Sequence, residues 1–308
     1  PLCLKTMPLS LLASTFANNL LPILLLSGAG FTLGKIFPID SRSLGRVIFY
    51  IFAPMLVFEL LVQNEIDLTE AVKVVSFTAV YIFIMLGITL GFGLAFKLDR
   101  PTLAAVTIAT VFGNTGNYGL PLVSFAFGGD ALKYAGLFFV TTAILHNTGG
   151  VLIASLGHMN FKQAFLGMFK VPVVYSLAFA ALFRALHIEL PMALSRTIEL
   201  AAGGSIPMMI VLLGIELSRI KWSKELRGVG LSVALRLVAA PIIALLLTPL
   251  LGLQGAAWQA GVMQASMPAA VNTTILAAEY KLDSSLVTAI VFIGTILSPL
   301  TLTPLIVL

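Results

Sequence analysis

Long apolar runs follow one another through this chain with only short polar breaks between them, and that pattern leaves few folds open. A helix needs about 20 apolar residues to span the hydrocarbon core of a bilayer. The runs do not alternate apolar and polar side chains as the strands of a membrane barrel do, so helices are expected, since each helix satisfies its own backbone groups in lipid. Ten spans are predicted, at about 9–34, 44–63, 71–96, 102–127, 132–156, 164–187, 191–218, 226–251, 255–279 and 285–308. Of the 308 residues 59% are apolar and 10% charged, against nearly half and a quarter in a soluble domain. No water-soluble globule of this size could hide so much apolar surface. The fold class is therefore an all-α polytopic membrane protein whose solvent is the lipid bilayer. A sizeable soluble domain, a nucleic-acid binder and a cofactor-binding α/β enzyme are excluded.

The net charge of +5 does not point to nucleic acid, because the cations gather at the ends of apolar runs. There they act as topology signals. With the N-terminus outside, 12 of the 18 Lys and Arg fall on the inner side, among them Lys35, Arg42, Arg46, Arg219 and Arg227, and 5 fall outside. Both termini are thus expected outside a cell (inner) membrane that the chain crosses many times. The first run is too long for the apolar part of a signal peptide. The single cysteine, Cys3, excludes an internal disulfide and a cysteine-held metal.

The sequence also repeats itself. A shift of 153 places Pro38 on Pro191, Pro54 on Pro207, Met55 on Met208 and Asp130 on Asp283. Each half then carries five spans, over 1–156 and 164–308, with a short connecting loop at 157–163. An odd number of spans turns the second half upside down relative to the first, which makes an inverted repeat.

Two segments cannot continue as ordinary helix. The fourth span contains Gly113-Asn114-Thr115-Gly116-Asn117-Tyr118-Gly119-Leu120-Pro121, and the ninth contains Met267-Pro268-Ala269-Ala270-Val271-Asn272-Thr273-Thr274. Gly and Pro weaken the helical ladder, and freed backbone groups survive at membrane depth only inside protein or beside a cavity. Interrupted helices at corresponding places in two halves point to a transporter binding site. Each break makes a new helix N-terminus that attracts an anion, while the half-helix arriving at the break presents carbonyls that suit a cation. Asn114, Asn117, Tyr118, Pro121, Pro268, Asn272 and Thr273 are the candidate substrate-binding residues. The alternative is a pair of proline kinks, with the asparagines bonding across helices.

These two motifs, in a chain of five plus five spans, resemble the auxin efflux carrier family, which includes plant auxin exporters and bacterial malonate or malate carriers. The resemblance covers essentially the whole chain. It implies a fold like that of bile-acid symporters and sodium–proton antiporters, with the fourth and ninth spans crossing at their unwound middles in a mobile core. It also implies that spans one, two, six and seven form a scaffold that pairs two copies into a homodimer. By position, Asn114 and Asn117 match the family's polar residues of the fourth span, Pro121 and Pro268 its crossover prolines, and Asn272 its ninth-span asparagine. The long cytoplasmic loop of the plant carriers is reduced here to about Gly157–Gln163, so the bacterial branch is the nearer match.

Arg236 lies near the middle of the eighth span, where an arginine costs about 2.5–3.5 kcal/mol on insertion scales. It is read either as half of an ion pair with Glu216 or Glu59, as a partner of free carbonyls at a helix break, or as a counter-charge for an anion. His146, Asn147 and Gln264 are further candidates for coupling or counter-charge. No spacing of His, Asp and Glu suggests a metal site, no cofactor is expected, and sodium is left open as a coupling ion. The expected activity is secondary transport of a small organic anion, a carboxylate of the malonate, malate or auxin kind, by alternating access. A ligand sensor without transport and a sodium-coupled symporter are the alternatives, and no enzyme chemistry is expected.

Overall fold

A computed structural model describes residues 8–63, 66–155, 166–167, 169, 171–220 and 222–308. Among them there is no β-strand, and the chain is a bundle of helices. In chain order these are α1 (Leu9–Ile36), α2 (Ser41–Val62), α3 (Leu68–Ala95), α4 (Arg100–Val111), α5 (Thr115–Ala154) and α6 (Pro172–Ala185). There follow α7 (Met192–Leu217), α8 (Leu226–Leu250), α9 (Gly255–Ala265), α10 (Asn272–Glu279), α11 (Ser284–Leu297) and α12 (Pro299–Val307). The expected loop at 157–163 lies outside the described residues, as does part of the segment expected at 164–187.

Among the described residues six helices, α1, α2, α3, α5, α7 and α8, are long and apolar enough to cross a membrane. A seventh results if α11 and α12, bent by 45° at Ser298, count as one span. The chain is thus a multi-pass membrane protein. The helices do not map one to one onto the predicted segments, because glycine and proline redraw the boundaries. The segment at 102–127 divides between α4 and α5, and that at 255–279 divides between α9 and α10. The 40 residues of α5 are two helical stretches joined at Gly128, whose φ of 74° and ψ of −165° only glycine adopts without strain, next to the boundary expected between 127 and 132.

Small residues set how closely the longest helices approach. A Cβ on Gly214 of α7 would collide with the Ser27 carbonyl of α1 and lie 2.7 Å from the Phe31 amide nitrogen. Close backbone approach of this kind is how helices associate in lipid, where burying apolar surface gives little drive. Across α2 and α7, the Ser205 hydroxyl donates to the Phe52 carbonyl at 2.8 Å. Among the described residues the ion pairs Lys73–Glu70 and Lys133–Asp130 each join residues three apart on one helix.

Candidate functional site

The stretches between α4 and α5 and between α9 and α10 meet inside the bundle. The Asn114 amide donates to the Pro268 carbonyl at 2.7 Å, and the Ala270 amide donates to the Phe112 carbonyl at 2.9 Å. These bonds frame an antiparallel bridge of Gly113 with Ala269. Each non-helical stretch therefore supplies the backbone partners that the other lost by leaving the helix. That mutual satisfaction is what allows irregular backbone at this depth. Helix resumes from the first stretch in a π turn over Thr115–Gly119, with Pro121 buried just inside the helix that follows, where its missing N–H is least costly.

Beside the bridge lies a cavity of about 70 Å³, with room for a few water molecules. Asn114, Thr115 and Asn117 line it from one stretch, and Ala270, Val271 and Asn272 from the other. Thr142, Ala143, His146 and Asn147 of α5 close it, with Ile48 and Phe49 of α2 and Met209 of α7 opposite. None of the described lining residues carries Lys, Arg, Asp or Glu. Polarity comes instead from four asparagines, two threonines, a histidine and backbone at two helix starts.

Several of these groups are held with hydrogen-bonding capacity to spare. Asn114 Nδ2, Thr142 Oγ1 and His146 Nε2 are buried, line this cavity and have no protein partner. Each buried group left unpaired costs about 1–3 kcal/mol, so three converging on one space mark it as a place for a ligand or ordered water. The Asn147 amide nitrogen donates to the Ala143 carbonyl at 2.9 Å, which fixes the side chain and leaves its oxygen as acceptor. The His146 ring stands edge-on to Phe112, with ring centroids 5.0 Å apart.

Asn117, His146, Asn147 and Asn272 also line an adjoining cavity of about 300 Å³, together with Arg42, Arg46, Glu216 and Glu279. The two spaces share these walls, so the polar crossing is continuous with a mouth that carries two arginines and two glutamates. Glu216, placed near a helix end by the sequence, proves to have a buried oxygen without a hydrogen-bond partner.

The remaining candidates lie apart from this lining. Tyr118 is fully buried and its hydroxyl accepts from the Ser298 hydroxyl at 3.2 Å, on the side of the α11–α12 bend. Thr273 turns back on its own backbone, donating to the Ala270 carbonyl at 2.5 Å. Pro268 serves through its carbonyl in the bridge. Gln264 is buried, donates to the Ala135 carbonyl at 3.3 Å and packs against Gly119. Arg236 is also off the cavity: it donates to the Tyr81 hydroxyl at 2.8 Å, and among the described residues it forms no salt bridge, with Glu216, Glu59 or any other carboxylate. The ion-pair reading of Arg236 is thereby corrected. Sequence reasoning passed over Thr142, Phe49 and Met209. For Thr142 the signal was present, since it precedes His146 by four residues and so shares its helix face.

An apolar helical bundle with a polar, partly unsatisfied cavity between two interrupted helices defines a multi-pass membrane protein. Residues 15–306 match the membrane transport protein family, and the chain belongs to that family, a family of transporters and not of enzymes. The resemblance to auxin efflux carriers holds across the chain. The sequence is 24% identical over 291 residues to an "Uncharacterized transporter" of Methanothermobacter thermautotrophicus, covering 91% of this chain and 94% of that protein. It is 26% identical over 289 residues to an "Uncharacterized transporter" of Methanocaldococcus jannaschii, covering 86% of this chain and 89% of the relative. It is also 28% identical over 280 residues to a Rhizobium meliloti protein named "Putative malonate transporter", covering 86% of each.

Proposed function

We propose that this chain is a secondary transporter of a small organic anion, a carboxylate of the malonate class, bound at the crossing of the two interrupted helices and moved by alternating access. The observation that carries this reading is the set of unpaired groups, Asn114 Nδ2, Thr142 Oγ1 and His146 Nε2, facing one cavity between two helix starts. Amide and hydroxyl donors together with helix N-termini suit a carboxylate. The name of the Rhizobium meliloti relative favours a dicarboxylate.

The architecture we infer is two inverted repeats of five spans. It is supported by helix ends that fall near the offset of 153: α4 stops at Val111 and α9 at Ala265, α5 at Ala154 and α12 at Val307. The bond from Ser205 to Phe52 also joins residues 153 apart, as expected near an axis relating two halves. A homodimer through the first, second, sixth and seventh spans, with both termini outside the cell membrane, completes the reading.

Thermal shift of the purified protein tests it, because a ligand of the native state alone raises the melting temperature. Malonate should raise it and neutral malonamide should not. Asn117→Ala and Asn272→Ala should keep the fold and weaken malonate about 10- to 150-fold, as losing a hydrogen bond to a charged group of about 1.5–3 kcal/mol implies. Unchanged affinity in both variants would move the site away from the crossing.

A further inference from the structure

Arg236 is fully buried, at 1% exposure, yet lines neither the cavity nor its mouth. A π turn over Leu235–Ala239 of α8 presents it, and such turns often mark functional positions. On one side its Nη1 donates to the Tyr81 hydroxyl, which in turn donates at 2.7 Å to the carbonyl of Ala265, the last residue of α9. On the other side the guanidinium lies in the notch left by Gly113, two residues past the end of α4, where any Cβ would collide with it. One turn away, the Ser232 and Thr110 hydroxyls share a 2.7 Å hydrogen bond that ties α8 to the last turn of α4. The guanidinium thus stands between the C-terminal ends of two helices.

A helix C-terminus carries roughly half a negative charge and ends in carbonyls without intrahelical partners. Two such ends converging inside the protein amount to about one negative charge. A guanidinium carries a single positive charge spread over a planar fork of donors. The charges therefore balance without a carboxylate, which accounts for the absence of a salt bridge among the described residues.

We propose that Arg236 is a built-in counter-cation: a positioning residue that holds the ends of α4 and α9 together and occupies the place where a cation-coupled carrier would bind a metal ion. This extends the proposed transport site and rests on that reading for its bearing on coupling. The test itself needs no substrate, so failure of malonate to bind would overturn the proposed substrate alone.

The test is the melting temperature of ligand-free protein in detergent. For the natural sequence, sodium chloride and choline chloride at equal ionic strength should give the same value, and millimolar guanidinium should not raise it. Arg236→Ala should melt lower and be partly restored by millimolar guanidinium but not by choline, a response opposite in sign to that expected of a denaturant. A merely space-filling arginine would show no such rescue. A saturable, sodium-specific rise in the unmutated protein would overturn the proposal without recourse to any variant. So would an Arg236→Ala protein that melts unchanged, or one that guanidinium fails to stabilise.

Discussion

Threonines inside these helices mostly satisfy themselves: Thr78, Thr89, Thr110, Thr141 and Thr148 each donate to the carbonyl four residues back. Thr142 does not, and its free hydroxyl joins Asn114 and His146 at the cavity. That contrast explains what was legible at the scale of the residue. Asparagines within apolar runs announce themselves, because an amide in lipid needs a partner, whereas a threonine has one available on its own helix. The charge of Arg236 was equally visible, but its partner was not, since Tyr81 lies on another helix 155 positions away. Gly113 shows how tight the arrangement is. A Cβ there would meet the guanidinium and come within 3.2 Å of the Met267 carbonyl oxygen. The guanidinium is tied to Tyr81 and enclosed, so it cannot swing aside. Gly113→Ala should therefore destabilise by about 1–3 kcal/mol, the usual cost of overpacking. A Gly113→Ala protein with an unchanged melting temperature would count against the placement of Arg236.

Among the elements, the two interruptions were legible because Gly, Asn and Pro cluster there, but their pairing was expected only through the family resemblance and not from the residues themselves. The bridge of Gly113 with Ala269 joins stretches more than 150 residues apart, and no local pattern encodes a partner at that separation. The break at Gly128 was legible, since Gly128 and Gly129 fall between the segments expected to end at 127 and to begin at 132. The α1–α7 contact gives a direct test of packing. Because Gly214 faces backbone atoms of Ser27 and Phe31 and not flexible side chains, Gly214→Ala must push the helices apart. We expect a loss of about 1–3 kcal/mol, read by thermal or denaturant unfolding; full stability would mean the helices are less closely packed. At the start of α2, Asp40 caps the helix: its carboxylate accepts from the Ser43 hydroxyl at 2.7 Å and the Arg42 amide at 3.1 Å. These bonds, Ser43 first, hold its pKa below the ordinary value of 3.8. Since the folded value is the lower one, the stabilisation is present above the unfolded pKa and is lost as pH falls through the folded one. Asp40→Asn, which keeps a capping oxygen, should flatten the acid limb of the stability profile below about pH 4; an unaltered acid limb would show that the cap does not set it.

For the whole molecule, the polar crossing communicates with a mouth that carries Arg42 and Arg46, residues that the charge count assigns to the inner side. On the proposed orientation the cavity therefore opens inward. In a Cys3→Ser background, a cysteine replacing Ser41 at that mouth should be labelled in inside-out vesicles, and malonate should slow the reaction. Labelling from the outer face of intact cells would reverse the orientation. Membrane residence and helical class were legible from apolar run length alone, while the repeat we infer rests on a few prolines, Met55 with Met208 and Asp130 with Asp283. The number of helices long enough to span was not legible, because where an apolar run divides depends on the contacts of its interior glycines.

Uptake of radiolabelled malonate into liposomes reconstituted with the purified protein bears most directly on the central claim that the crossing is a transport site for a small carboxylate. Saturable uptake should occur with the natural sequence, be competed by unlabelled dicarboxylates and fall at least tenfold at low malonate in Asn117→Ala and Asn272→Ala. Malonate binding without any uptake would contradict transport and favour the sensor, and uptake indifferent to both substitutions would contradict the site.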